Sequence, residues 1–240
     1  MPLWPVSTKL RLALSSLSSQ SVVVEREGKK IVVKDYNRPA SLKWLIALLP
    51  PAARSYPFEL DPSVRMEREL SFFEDPPSGV GVPRILLVDR ERNIVEREYV
   101  EGEPLSTDPR GRSRDLGAVL ALVHSGGRCM GDTKLNNFIA SGQTIYVVDC
   151  EQCLRECDNP GYRAWDLALS SVLLYYTKPT ASLEDYEERL DSFLASYLER
   201  LSAERPSASR VLSTGLLSLL PPSHGLLAKR LLGSRLGAPP

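Results

Sequence analysis

The sequence carries no net charge, since 30 basic side chains offset 30 acidic ones over 240 residues. No overall field therefore draws it to nucleic acid or to an anionic membrane, and only local patches could do so. It has nothing close to the ~20 uninterrupted apolar residues of a membrane span. The opening MPLWPVSTKLRLALSS has two prolines and no continuous apolar core, so it does not read as a signal peptide. A cytoplasmic protein without a membrane partner is the expectation. Cysteine is scarce: Cys150, Cys153 and Cys157 crowd one segment, with Cys129 apart. That pattern is not a spaced disulfide framework and fits paired zinc knuckles poorly, so ordinary buried thiols are expected ahead of a four-thiolate metal site. The two histidines, His124 and His224, have no serine or cysteine neighbour in a triad arrangement, which removes support for nucleophilic hydrolysis. His124 reads as a helix-end residue at the negative end of the helix dipole.

What the chain does have is 42% apolar and 25% charged residues, enough to bury a core in one large domain or in two lobes sharing a cleft. The first third reads as strands. Leu10–Leu14 is a short apolar run, and a serine-rich loop without glycine comes next at Ser15–Ser21. Val22–Val24 and Ile31–Val33 are β-branched runs joined by the turn Glu27-Gly28-Lys29, a hairpin signature. Ala40–Leu49 has helical composition and stops at Pro50-Pro51.

Asp61-Pro62-Ser63 then opens a helix, Val64 to about Phe73, with Met66, Leu70 and Phe73 on one apolar face. Glu69 falls on that inward side, whereas Glu67 points further round. Strands Pro83–Val88 and Ile94–Val100 flank the charged turn Asp89–Asn93, and Gly102-Glu103-Pro104 breaks the pattern.

The remainder is mainly helical: Ser113–His124, Trp165–Tyr176, Ser182–Arg205 and Val211–Leu220. Short strands Asn137–Ala140 and Tyr146–Val148 flank the turn Ser141-Gly142. Trp44 and Trp165 read as core, and the mixed run Glu184–Arg189 as a solvated helix face. The tail His224–Pro240 reads as a frayed terminal helix, with a partner-binding segment as the alternative. Arg110, Arg112 and Arg114 form either an exposed loop or a patch for an acidic substrate or RNA.

The chemistry concentrates in Gly131-Asp132-Thr133-Lys134-Leu135-Asn136-Asn137 and, shortly after, Ile145-Tyr146-Val147-Val148-Asp149. An Asp is followed five residues later by an Asn, and a hairpin then delivers a second Asp at a strand end. Phosphoryl transfer needs a carboxylate to orient or deprotonate the acceptor hydroxyl, and hard oxygen ligands for a metal bridging the phosphates. Lys134 is suited to offset charge growing on the transferred group.

These residues resemble the catalytic loop and metal-binding Asp of protein kinases, with Met130-Gly131 where His-Arg is usual. The resemblance implies Asp132 as catalytic base, Lys134 as the catalytic-loop lysine, and Asn137 and Asp149 as metal ligands. It implies that Lys34 holds the α- and β-phosphates with Glu69 as its ion-pair partner, and that Glu98 and Val100 meet the adenine edge. Asp166 resembles the buried aspartate that braces the catalytic loop. The chain departs from the pattern in its glycine-free loop, in Asp149-Cys150-Glu151 where Asp-Phe-Gly is usual, and in the short stretch from Asp149 to Asp166.

This trimmed form is similar to atypical archaeal kinases: the RIO group, the KEOPS kinase subunit and lipopolysaccharide-type kinases. The resemblance implies an α+β, two-lobed protein-kinase-like fold, with an N-lobe at 1–101 and a helical C-lobe at 102–240. The expected function is ATP- and Mg²⁺- or Mn²⁺-dependent phosphoryl transfer to a Ser/Thr hydroxyl. A protein substrate or complex partner is expected, with nucleic acid involved only indirectly. The alternatives are an ATPase or small-molecule kinase, and a nucleotide-binding pseudokinase scaffold.

Overall fold

Residues 20–38, 55–157 and 159–237 are described by the computed structural model. The expected strand Leu10–Leu14, the serine loop up to residue 19 and the helix Ala40–Leu49 with Trp44 lie outside them.

The β-branched runs pair as expected. β1 (Ser21–Arg26) and β2 (Lys29–Asp35) form an antiparallel hairpin closed by Glu27 and Gly28, whose φ values of 54° and 73° suit a tight two-residue turn. β3 (Ile85–Asp89) and β4 (Ile94–Glu98) form the second hairpin, and β4 lies against β2, so the sheet runs β1-β2-β4-β3.

Helix α1 (Pro62–Glu74) starts where Asp61 caps it, accepting from Ser63 N at 2.8 Å and Val64 N at 3.2 Å, with Pro62 in the first turn where its missing N–H costs nothing. Its apolar face serves two cores. Met66 and Leu70 join Tyr36 and Val95 under the sheet, while Phe72 and Phe73 enter the larger helical core. At roughly 1.5–3 kcal/mol per fully buried large apolar side chain, these anchors fix the helix's position and roll.

Beyond the sheet come β5 (Glu103–Pro104), α2 (Pro109–Ser125), a 3-10 turn (Leu135–Asn137) and the hairpin of β6 (Phe138–Ser141) and β7 (Thr144–Val147). Strands β5-β6-β7 form a small second sheet. Gly81 ties it to the segment after α1, donating to Ile145 O at 3.0 Å and accepting from Val147 N at 2.8 Å. The helices α3 (Pro160–Tyr176), α4 (Leu183–Arg200), α5 (Ala208–Ser213) and α6 (Pro222–Leu236) complete the body. Gly117 lets α2 press on α4, since a Cβ there would stand 2.2 Å from Phe193 O. The architecture is α+β: a four-stranded antiparallel sheet with one helix against it, followed by a mainly helical body. No helix among the described residues is long and apolar enough to cross a membrane.

Several expectations are corrected. The leucine-rich stretch Val211–Leu220 is not one helix: Gly215, at φ 74°, breaks it into α5 and a 3-10 turn, Leu216–Leu219. The expected helix Ser182–Arg205 ends at Arg200. As far as Gly237 the tail is docked rather than frayed, because Leu227, Ala228, Leu232 and Leu236 are buried and Arg235 pairs with Asp191. Within the charge run, Arg189 is buried, its stem inside the helical core and its Nε donating to Asp185 O at 3.1 Å.

Cysteine pairing is corrected as well: Cys129 and Cys157 form a disulfide, with Cα atoms 5.6 Å apart. The chain returns antiparallel to itself here, with Leu154 N donating to Cys129 O at 2.9 Å and Cys157 N to Gly127 O at 2.9 Å. That pairing, invisible in the spacing, brings the sulfurs together. Cys150 and Cys153 are buried free thiols, and burial pushes both thiols well above their ordinary range.

Candidate active site

Lys34 stands on β2 and is 1% exposed. Its Nζ lies 2.7 Å from Glu69 Oε2, 2.9 Å from Asp149 Oδ1 and 3.4 Å from Glu151 Oε2. Burial alone would lower the lysine's pKa; attraction to Asp149, Glu69 and Glu151 more than reverses this and holds it well above the ordinary value. Glu69 arrives from α1 and is held on every side: Tyr36 OH donates to its Oε1 at 2.8 Å and Cys150 N to its Oε2 at 3.1 Å. The inward acid on the helix is therefore the lysine's partner, whereas Glu67 is exposed and pairs with Arg90.

Two members of this network are not apparent from the sequence. Glu151, third in the triplet, is buried between Lys34 and Arg65, which donates to its Oε2 at 3.0 Å. Desolvation leads in raising its pKa, against the two cations. Arg65 also donates to Tyr36 O at 2.6 Å. The one signal for it is the spacing of Arg65 and Glu69, four apart on one face of a capped helix.

The loop at Asp132 hangs on α3. Asp166 accepts from Met130 N at 2.7 Å and Gly131 N at 2.8 Å, and Trp165 Nε1 donates to Gly131 O at 3.0 Å. The bracing expected of Asp166 is thus present, and Trp165 does more than fill the core. His124 lies in the last turn of α2, as expected, and is in addition a buried link, with Nε2 3.1 Å from Asp166 Oδ2 and Nδ1 2.7 Å from Tyr197 OH. Cys129 lies beside His124 and Asp166, but its sulfur is committed to the disulfide, so the trio is no metal site. Gly131 has φ 72°, and a Cβ there would meet the Tyr56 ring at 2.4 Å, so this turn tolerates glycine alone.

From this base several of the expected site residues are linked to one another. Lys134 Nζ contacts Asp132 Oδ2. Asn137 Nδ2 donates to Asp132 O at 3.1 Å, while Val148 N donates to Asn137 O at 2.9 Å, seating the asparagine beside the strand end that carries Asp149. The Asp149 side chain is 39% exposed. An amide oxygen and a carboxylate oxygen on adjoining segments are a hard donor set that fits Mg²⁺ or Mn²⁺.

Glu98 closes β4, and Val100 is buried just beyond it. Arg97, unforeseen in the sequence and one residue before Glu98, donates from Nη2 to Val148 O at 2.8 Å. The arginine trio does not form a free basic patch: Arg110 pairs with Glu188, Arg112 with Asp115 at 3.0 Å, and Arg114 with Glu199 at 3.1 Å.

Sequence comparison finds two relevant relatives. The chain is 31% identical over 129 residues to the probable serine/threonine-protein kinase BUD32 homolog of Archaeoglobus fulgidus, covering 53% of this chain and 62% of that protein. It is 27% identical over 129 residues to the probable bifunctional tRNA threonylcarbamoyladenosine biosynthesis protein of Methanosarcina mazei, covering 51% and 20%. The chain thus spans less than two thirds of the length of these curated relatives. Among solved structures, choline kinase LicA from Streptococcus pneumoniae aligns with TM-score 0.46 at 15% identity, over 88% of this chain and 99% of that one. Rio2 kinase from Chaetomium thermophilum aligns with TM-score 0.46 at 13% identity, over 98% and 76%. No protein-family model matches the sequence.

Proposed function

We propose that this atypical protein-kinase-like chain is an ATP-dependent phosphotransferase, passing the γ-phosphoryl group to a serine or threonine hydroxyl of a partner protein. The observation that carries the reading is one buried ammonium, Lys34, touching Glu69 and Asp149 together. The Glu69 pairing would hold Lys34 ready for the nucleotide phosphates, and Asp149 beside it would be one ligand of a divalent metal. Asn137 and Asp149 would hold Mg²⁺ or Mn²⁺, which would supply charge neutralisation for the phosphates. Backbone groups of Glu98 and Val100 would receive the base edge, at the junction of lobes 1–101 and 102–240.

Asp132 accepts the proton of the incoming hydroxyl as its oxygen bonds to phosphorus, while the bond to the β-phosphate bridging oxygen breaks and ADP leaves. Lys134, on the same loop, balances charge on the moving phosphoryl oxygens. Beside it a hollow of about 220 Å³, lined by Ser106, Lys134, Asn136, Tyr176 and Thr177 among others, offers the acceptor's approach. The Methanosarcina mazei relative is named for tRNA threonylcarbamoyladenosine biosynthesis, which favours looking for the partner among proteins of tRNA modification. One feature favours a second reading, an ATPase or small-molecule kinase. Only residues 150–159 separate the Asp149 strand end from α3, and the disulfide ties them down, leaving little chain for a peptide groove.

The test is incubation with γ-labelled ATP and manganese, with and without Asp132→Asn. Label on protein that the variant abolishes supports the kinase reading, and released phosphate alone supports the ATPase. Nucleotide binding without turnover in either protein would leave a scaffold and overturn the proposal.

A further inference from the structure

Arg97 takes no part in the chemistry above, yet it lies beside the residues that do, bonded to Val148 next to Asp149. It stands opposite Val32, two residues along β4 from Val95, which is the partner of Lys34. Side chains opposed across an antiparallel pair share a face, as do alternate residues along a strand. Arg97 therefore leaves the sheet on the same side as Lys34, one residue before Glu98. It is 6% exposed, and among the described residues its single hydrogen bond is from Nη2 to Val148 O at 2.8 Å, beside Asp149. Among the described residues no carboxylate pairs with it, and its Nε is buried without a hydrogen-bond partner. A desolvated guanidinium with a spare N–H is costly, and a ligand that brings acceptors removes the cost.

We infer that Arg97 reads the nucleotide base and admits guanine nucleotides to this site alongside adenine nucleotides. The inference rests on the nucleotide site proposed above. A guanidinium offers donors only. Guanine presents two acceptors side by side, O6 and N7, which Nε–H and a terminal N–H meet as a fork. Adenine presents an amino group in place of O6, donor against donor, so it relies on the Glu98 and Val100 backbone while Arg97 keeps its bond to Val148. Because the Nε–H faces inward, the guanidinium must turn about its own side-chain torsions to engage guanine. Lysine at this position would keep the charge and lose the fork.

The experiment titrates the full chain with fluorescent N-methylanthraniloyl GDP and ADP in magnesium, reading affinity directly. In the wild type both should bind within about tenfold of each other. Arg97→Met should weaken the guanine nucleotide by about 5- to 100-fold relative to the adenine one, the range of a single bidentate base contact. Arg97→Lys should fall between, and it decides the matter if the methionine variant does not fold. A GDP-to-ADP affinity ratio unchanged by either variant overturns the inference, as does a wild type that binds only the adenine nucleotide. Both of those results leave the nucleotide site itself intact. Failure of the wild type to bind either nucleotide refutes the underlying functional reading, and the inference falls with it.

Discussion

Replacing Glu69 by alanine removes an acceptor that three donors share inside the protein. Lys34 Nζ, Tyr36 OH and Cys150 N all point at this one carboxylate, at 2.7, 2.8 and 3.1 Å. Breaking a buried ion pair by deleting one partner costs about 3–5 kcal/mol, and each stranded buried donor adds about 1–3 kcal/mol when isolated. These losses are not additive, since all three donors share one site. Lys34 also retains Asp149 and Glu151 as counter-charges. The net expectation is therefore near the pair value alone, about 3–5 kcal/mol. For a chain of this size that lowers the melting temperature by roughly 6–20 °C. Glu67→Ala is the internal control: its partner Arg90 is exposed, so the shift should stay within about 2 °C. Thermal unfolding followed by circular dichroism measures both. If Glu69→Ala melts alongside Glu67→Ala, Lys34 and Glu69 are not the buried hub of the structure.

Three further outcomes are expected. Asp132→Asn should lower phosphoryl transfer by about 10²–10⁴-fold while nucleotide affinity changes little, in a turnover assay paired with a binding titration. Cys157→Ser should cost about 3–4 kcal/mol in urea under oxidising conditions, from the 28-residue separation of the bridged pair; reductant should bring the wild type to the variant's midpoint, and a wild type indifferent to reductant would count against the bridge. Gly131→Ala should destabilise more than Gly142→Ala, since both have positive φ but only Gly131 faces a ring at contact distance; equal melting shifts would contradict the packing of Tyr56 beneath the loop.

Much of the frame is legible in the sequence because its signals are local. The two N-terminal hairpins arise from β-branched runs around short turns, and α1 from an Asp-Pro-Ser start and an apolar stripe. Glu69 stands out for the same reason, as an acid on a face that otherwise carries Met66, Leu70 and Phe73. Asp132, Asn137 and Asp149 lie within one loop and one hairpin, so chain connectivity alone brings them near each other. The helix break at Gly215 is hidden because the leucines around it continue a helical composition, while the left-handed backbone at one glycine ends the helix.

The groups that stay illegible all act across long separations. Cys129 meets Cys157 because the chain doubles back between them. His124 has the look of a helix end until α4 brings Tyr197 and α3 brings Asp166 to its two nitrogens. Arg65 and Glu151 lie 86 positions apart and are joined only when α1 packs over the strand end. Residue pattern along the chain determined the elements, and with them the loop that carries Asp132 and the strand that carries Lys34. Only packing decided which charges are buried together, because burial and counter-charge belong to the neighbours that folding supplies and to no residue by itself.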